Sequence, residues 1–234
     1  LSESGRAIGE LPPIKEPARK AEAEASFRTF CESYFPHVFH LAWSDDHLKV
    51  IAKIEAAILH GGLFALAMPR GSGKSSLCEA ACQWAMLTGR RRFVCLIGAS
   101  ERAARETLEA LKTELETNDL LLEDFPEAVY PIRSLEGITQ RSNGQLYTGE
   151  RTHIDWTETQ VVLPAIPGSR ASAAVIRVAG ITGRVRGMKF TRADGGTVRP
   201  DVVLVDDPQT DQSARSILQC EKREKILAVL IHVR

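Results

Sequence analysis

Residues 69–76 read Pro-Arg-Gly-Ser-Gly-Lys-Ser-Ser, placing two glycines, a lysine and a run of hydroxyls within one short span. Those residue types suit a polyphosphate. Gly71 and Gly73 let backbone N–H groups curl around an anion, and a helix opening at Lys74 adds the partial positive charge of its N-terminus. The Lys74 ammonium reaches the β- and γ-phosphates, the Ser75 hydroxyl ligates Mg2+, and Ser72 and Ser76 complete the cradle. The spacing follows G-x-x-x-x-G-K-[ST] except at its first position, where Met68 stands. Arg70 lies four residues before the lysine.

A second candidate lies in Asp201-Val-Val-Leu-Val-Asp-Asp-Pro, whose Asp206 falls 132 residues after Lys74. Four apolar residues end in two adjacent carboxylates. At a strand tip these can divide the work: Asp206 orients the magnesium shell and Asp207 polarises an attacking water. Upstream of the loop, Trp43 offers an indole to cover a base and His47 an imidazole to bond its edge; Trp43 equally suits a core position.

The surrounding pattern supplies elements to carry these groups. Residues 17–35 are rich in helix formers, with Phe27, Phe30 and Tyr34 at helical spacing, and are expected to form one short helix packing on the main body. Residues 1–16 are expected to be a loose tail. Ser44, followed by Asp45 and Asp46, predicts a helix start, and Gly61 or Gly62 its end. Then Leu63–Met68 reads as a buried strand, 74–89 as a helix, 93–99 as a second buried strand, and 101–118 as a long helix capped by Ser100. Strands are also expected at 145–150, 159–166, 173–181 and 202–205, with a hairpin around Asp194–Gly196 and a final helix from Ser213. Alternating strands and helices predict an α/β fold with a mostly parallel central sheet flanked by helices.

Bulk properties narrow the classes. The chain has 234 residues and 44% apolar content, with 30 basic and 30 acidic residues, so net charge names no partner. The distribution is uneven. Residues 165–200 hold Arg170, Arg177, Arg184, Arg186, Lys189, Arg192 and Arg199 against one acid, Asp194, whereas 101–127 hold nine acids against three bases. The five cysteines form no C-x-x-C pair, which suits reduced thiols; Cys78 and Cys82 read as core. No apolar run is long enough for a membrane span.

Taken in order, four segments resemble the ATPase domain of the large terminase subunit of tailed bacteriophages, the motor that pumps double-stranded DNA into a procapsid. They are Met68–Ser76, the strand and helix at 93–111, Gly180–Met188, and Pro200–Pro208, together covering about residues 40–215. The resemblance implies a P-loop NTPase of the RecA-like, ASCE type, hydrolysing ATP with Mg2+. It implies that Arg70 senses the γ-phosphate and that Arg186, followed by Gly187, acts as an arginine finger. Arg184 is the rival for that role, and a DNA-phosphate contact the alternative for Arg186. It also implies double-stranded DNA, a portal protein and a small terminase subunit as partners. It further implies a homo-oligomeric ring on the procapsid from a protein monomeric in solution, in the host cytoplasm.

The chain departs from that family in two ways. Asp207 stands where the family usually has glutamate. The chain also stops 27 residues past Asp207, before the family's coupling strand and nuclease domain. Residues 1–35 are thus expected to be tail and arm helix and 36–234 a truncated ATPase domain, binding nucleotide without cutting DNA. Two other classes fit parts of the pattern: a helicase-like nucleic-acid-remodelling ATPase, and a nucleotide-binding module without turnover. The basic stretch fits either a DNA backbone or a neighbouring subunit.

Overall fold

A computed structural model describes residues 6–69, 71–183 and 187–231. In chain order the helices and strands are α1 (Pro17–Ala25), α2 (Phe27–Tyr34), α3 (Asp45–His60), α4 (Lys74–Leu87), β1 (Phe93–Gly98), α5 (Glu101–Thr117), α6 (Asp119–Asp124), α7 (Pro126–Arg133), β2 (Leu146–Tyr147), β3 (Glu150–Arg151), β4 (Asp155–Trp156), β5 (Gln160–Val162), β6 (Val175–Gly180), β7 (Phe190–Thr191), β8 (Thr197–Val198), β9 (Val202–Val205), α8 (Asp211–Ala214) and α9 (Ile217–Ile231). The architecture is α/β. One mixed sheet of five strands runs β4-β5-β6-β1-β9, with β6, β1 and β9 parallel and β4 and β5 antiparallel at one side.

All six residues of β1 are buried, so both of its faces need cover. Successive side chains point to opposite faces. Val94 and Leu96 join the main core with Ile176, Val178 and the helical residues Leu77, Trp84 and Leu108. Cys95 and Ile97 face the other way, against Ile181, Val205 and the α9 residues Ile226 and Leu227. Phe93 shares that face with Val162, Val175 and the β7–β8 hairpin side chains Phe190 and Val198. The Asp201 carboxylate accepts from the N–H groups of Arg92 and Phe93, both at 2.9 Å, which pins the start of β9 to the start of β1.

Helix caps fall where the sequence sets them. The Ser44 hydroxyl accepts from His47 N–H at 3.3 Å, and the Ser100 hydroxyl from Ala103 N–H at 3.2 Å. Gly61 ends α3 at φ +75°. The expected arm helix is instead two helices, because Ser26 leaves the helical region (φ −135°, ψ 126°) and turns its hydroxyl to Thr29 N–H, starting α2. The tail is tied down rather than loose over its described part: Leu146 N–H donates to Arg6 O, Ile8 N–H to Leu146 O, and Lys15 N–H to Glu123 O.

The aromatic stripe is fully buried at Phe27, Phe30 and Tyr34, with Phe27 against Trp84 and the Trp84 indole N–H donating to Ala23 O at 2.9 Å. Burying each such ring contributes about 2–3 kcal/mol. An exposed pair on the same helix, Arg28–Glu32, contributes below about 1 kcal/mol. Packing, not surface charge, holds the arm. One buried charge reinforces it. Asp124 has no exposed surface and accepts from Arg19 Nε at 2.6 Å, Tyr34 OH at 2.7 Å and Glu16 N–H at 3.2 Å. The bond to Asp124 raises the Arg19 pKa further still, and burial pushes the Tyr34 hydroxyl up.

Two expected strands are different in the fold. Residues 145–150 form one side and the turn of a hairpin, β2–β3, because Thr148 and Gly149 both take positive φ (50° and 85°), the geometry of a tight two-residue turn. Leu63–Met68 forms no strand. Leu63 is 67% exposed, Phe64 41% and Leu66 37%. Its apolar run spells a buried strand, yet the sheet ends at β9, whose second edge pairs with no strand among the described residues and leaves Val203 44% exposed. Strand propensity needs a partner edge to become a strand. Among the described residues no helix is long and apolar enough to cross a membrane.

Two outcomes follow. Asp124→Ala leaves Arg19 and Tyr34 facing a vacated buried position and lowers stability by about 3 kcal/mol, against about 1 kcal/mol for Tyr34→Phe; urea unfolding measures both, and equal losses would contradict the network. In hydrogen-exchange mass spectrometry, amides of 63–68 exchange in the first seconds while those of β1 stay protected; comparable protection of the two segments would contradict the unpaired state of 63–68.

Candidate functional site

The loop before α4 turns on two left-handed glycines, Gly71 at φ +77° and Gly73 at φ +76°. A Cβ at either would meet nothing within 4 Å, so backbone conformation rather than crowding calls for glycine. The Ser72 hydroxyl and N–H both point back to Pro69 O, at 2.8 and 3.4 Å. Gly73 is the N-cap of α4 and no side chain caps that helix, so its first-turn N–H groups are available to an anion. The Lys74 ammonium folds onto the loop itself, donating to Met68 O at 3.0 Å and Pro69 O at 3.3 Å. Ser75 is exposed and Ser76 half-buried. Arg70, Arg184 and Arg186 lie outside the described residues.

At the other motif, Asp206 N–H donates to Ile97 O at 2.9 Å, carrying the β1–β9 ladder one residue beyond β9. Asp206 is half-buried and Asp207 exposed. Asp207 has φ +40°, a left-handed conformation in a residue that is not glycine and that precedes proline. Such a conformation costs about 1–3 kcal/mol and persists where the surroundings impose it. Here the chain leaves the sheet, and Asp206 and Asp207 line one cleft of about 340 Å³ together with Gly98, Ala103, Glu106 and Glu79.

The cleft exists because α5 begins directly over the strand ends. A Cβ on Gly98 would sit 2.9 Å from Ala104 N, and one on Gly180 2.5 Å from Glu101 N. Only glycine admits that approach, so the tips of β1 and β6 and the start of α5 share one level.

Helix α4 meets the same place from below. Cys78, one turn after Lys74, has its thiol pushed up to about 12. Burial is the main cause, followed by the carboxylates of Asp206, Glu79 and Asp207, with the Lys74 ammonium pulling the other way. Glu79, on the same helix, lines the cleft with Asp206 and Asp207, so the helix that follows the loop runs beside the acidic strand tip. Ser75 carries a hydroxyl and Asp206 a carboxylate, hard oxygen donors of the kind Mg2+ takes. Among the described residues no group of three His, Cys, Asp or Glu side chains is placed to hold a metal by itself.

Glu79 is the residue that sequence reasoning missed. It sits one turn beyond Ser75 on α4 and lines the cleft with Asp206 and Asp207; its residue type and spacing alone do not mark it off from a solvated helical glutamate. Burial, then the nearby Asp206 charge, raises its pKa from 4.5 to about 7. Cys82, which the sequence assigned to the core, is fully buried, and Cys78 is half-buried.

Trp43 and His47 are both engaged within the protein. The Trp43 indole N–H donates to Glu32 at 2.7 Å, and its ring lies 5.1 Å from that of Phe39 and 5.8 Å from that of His47. His47 Nε2 is 2.9 Å from Ser72 O, and Nδ1 is 2.7 Å from the Ser44 hydroxyl. Both imidazole nitrogens are thus occupied, and the imidazole touches the loop backbone.

Of the basic stretch, Arg170 pairs with Glu24 at 3.1 Å and Arg192 with Asp194 at 3.4 Å. Arg177 and Lys189 line a separate open groove of about 530 Å³ beside Gly180 and Gly187. Comparison of the chain with family models, with curated proteins and with solved structures finds no match.

The ionised form of Glu79 is the disfavoured one in the folded protein. Its contribution to stability is therefore full below pH 4.5 and is lost as pH rises through about 7. Glu79→Gln accordingly raises the melting temperature at pH 8 and leaves it nearly unchanged at pH 4.5. An equal shift at both pH values would contradict the buried, charge-crowded placement.

Proposed function

We propose that this chain is the ATPase domain of a viral genome-packaging motor, hydrolysing ATP to move double-stranded DNA into a procapsid. One observation carries the proposal: Glu79, on the helix whose uncapped start is led by Lys74, lines the same cleft as the Asp206–Asp207 strand tip. The four resembling segments set that chemistry in the context of a P-loop NTPase.

In this reading Gly71, Ser72, Gly73 and Ser76 cradle the phosphates through backbone and hydroxyl groups. Lys74 leaves the Met68 and Pro69 carbonyls for the β- and γ-phosphates, exchanging two neutral acceptors for a charged one. Ser75 and Asp206 hold Mg2+, which when bound screens the phosphate charge. Asp207 accepts a proton from the attacking water, and its position at the rim of the cleft gives that water access from solvent. Arg70 and Arg186 stabilise the charge on the departing phosphoryl group, Arg186 on a neighbouring copy in the ring. Trp43 borders the base; His47, committed to the loop, no longer has a free nitrogen to read it. The Arg177–Lys189 groove offers a sequence-independent seat for DNA phosphates. The portal protein and small terminase subunit are the expected assembly partners, in the host cytoplasm.

Two variants test the proposal. Lys74→Ala weakens binding of Mg-ATP at least tenfold. Asp207→Asn leaves binding within about twofold and lowers phosphate release by roughly 10²–10⁴-fold, the usual worth of a general base. Calorimetric titration and a phosphate-release assay measure them. Unchanged turnover in Asp207→Asn would overturn the catalytic assignment, and unchanged affinity in Lys74→Ala the phosphate loop itself.

A further inference from the structure

Ser72 O can only accept a hydrogen bond, so the His47 Nε2 that lies 2.9 Å from it must carry the proton. In the neutral imidazole that leaves Nδ1 as an acceptor, and the Ser44 hydroxyl, at 2.7 Å, must donate to it. The same hydroxyl oxygen accepts from His47 N–H at 3.3 Å as the cap of α3. Each donor has one acceptor, and the relay fixes both tautomer and ring orientation. It runs from the start of α3 to the backbone of the loop between its two left-handed glycines. Among the described residues Ser72 O takes no other hydrogen bond: the Ser72 hydroxyl and N–H both turn to Pro69, inside the loop. The Trp43 ring, 5.8 Å away, backs the imidazole.

We propose that His47 is a positioning residue: it fixes the backbone of the phosphate loop at Ser72 before any nucleotide arrives, so that less of the loop has to be ordered when phosphate enters. This rests on the phosphate-loop reading above. The chemistry follows from cost. A loop turning on two glycines loses more conformational freedom on ordering than any other, and a tether from a rigid helix removes part of that loss in advance. The consequence is specific: His47 acts on nucleotide affinity and not on the chemical step, the opposite signature to Asp207.

The experiment compares wild type, His47→Leu and His47→Gln, the last because its amide can donate from the place of Nε2. Hydrogen exchange without nucleotide and ATP titration with turnover are the two readouts. His47→Leu should exchange the Ser72–Ser75 amides roughly fivefold faster, the worth of one neutral hydrogen bond. It should also raise the KM for ATP by a similar factor with kcat unchanged, and His47→Gln should recover most of both. Unaltered loop exchange in His47→Leu would overturn the tether. Faster exchange that His47→Gln fails to restore would trace the effect to ring packing on Trp43 and overturn the hydrogen-bond role. A fall in kcat at constant KM would overturn the assignment to affinity. If Lys74→Ala binds ATP like wild type, the phosphate-loop reading fails and the affinity half of the proposal with it, while the exchange comparison still decides the tether.

Discussion

A strand with no solvent-facing side has to be covered on both faces, and β1 is that strand. Its burial requires a thick helical layer against Val94 and Leu96 and a thinner cover against Phe93, Cys95 and Ile97. Parallel pairing with β6 and β9 then brings the ends of three strands to one level, with Gly98 beside Gly180 and Ile97 beside Val205. The acidic residues that follow β9 can emerge only at that level. Ligand sites in parallel sheets lie at such strand ends because the chain leaves the sheet there and its polar groups escape the core. The cleft around Asp206 is thus a consequence of how β1 is buried.

The second wall of the cleft depends on a helix that is nearly all core. From Ala80 to Leu87 every residue of α4 is buried; only its first two turns retain polar work. Such a helix cannot tilt without breaking contacts on all sides. The arm helices clamp its far end through Phe27 on Trp84 and through the indole bond to Ala23 O. The arm is therefore part of what aims Lys74, although it lies well away from the loop in sequence. The loop itself has few outside contacts: it turns on two glycines, follows an exposed segment, rests its lysine on its own carbonyls, and meets α3 through His47 on Ser72 O.

Local rules made much of this legible. Ser44 and Ser100 cap their helices because a short hydroxyl side chain can reach a free N–H only there, and the four-residue apolar run at 202–205 reads as a strand; its expected burial is not met, because β9 lies at the sheet edge with Val203 exposed. The hairpin at 190–198 followed from Asp194–Gly195–Gly196, where the Asp194 carboxylate accepts from Gly196 N–H at 2.8 Å. What escaped was non-local. Leu63–Met68 carries the composition of a strand, but composition does not say whether an edge lies beside it. Thr148–Gly149 needed positive φ at a threonine, which residue type alone disfavours. Ser26 was hidden among good helix formers. Glu79 looked like a solvated helical glutamate, and only the neighbouring strand tip makes it a carboxyl crowded by others. The His47–Ser72 bond joins residues 25 apart in the chain, a contact no spacing rule expresses.

The proposed activity requires the loop before α4 and the tip of β9 to grip one ligand. A crystal structure with a non-hydrolysable ATP analogue and magnesium tests it directly. The expected result has the β- and γ-phosphates against the N–H groups of 72–75 with Lys74 Nζ turned onto them, and Ser75 and Asp206 as protein ligands of the metal. A nucleotide seated away from that loop, or a metal with neither Ser75 nor Asp206 in its shell, would contradict it.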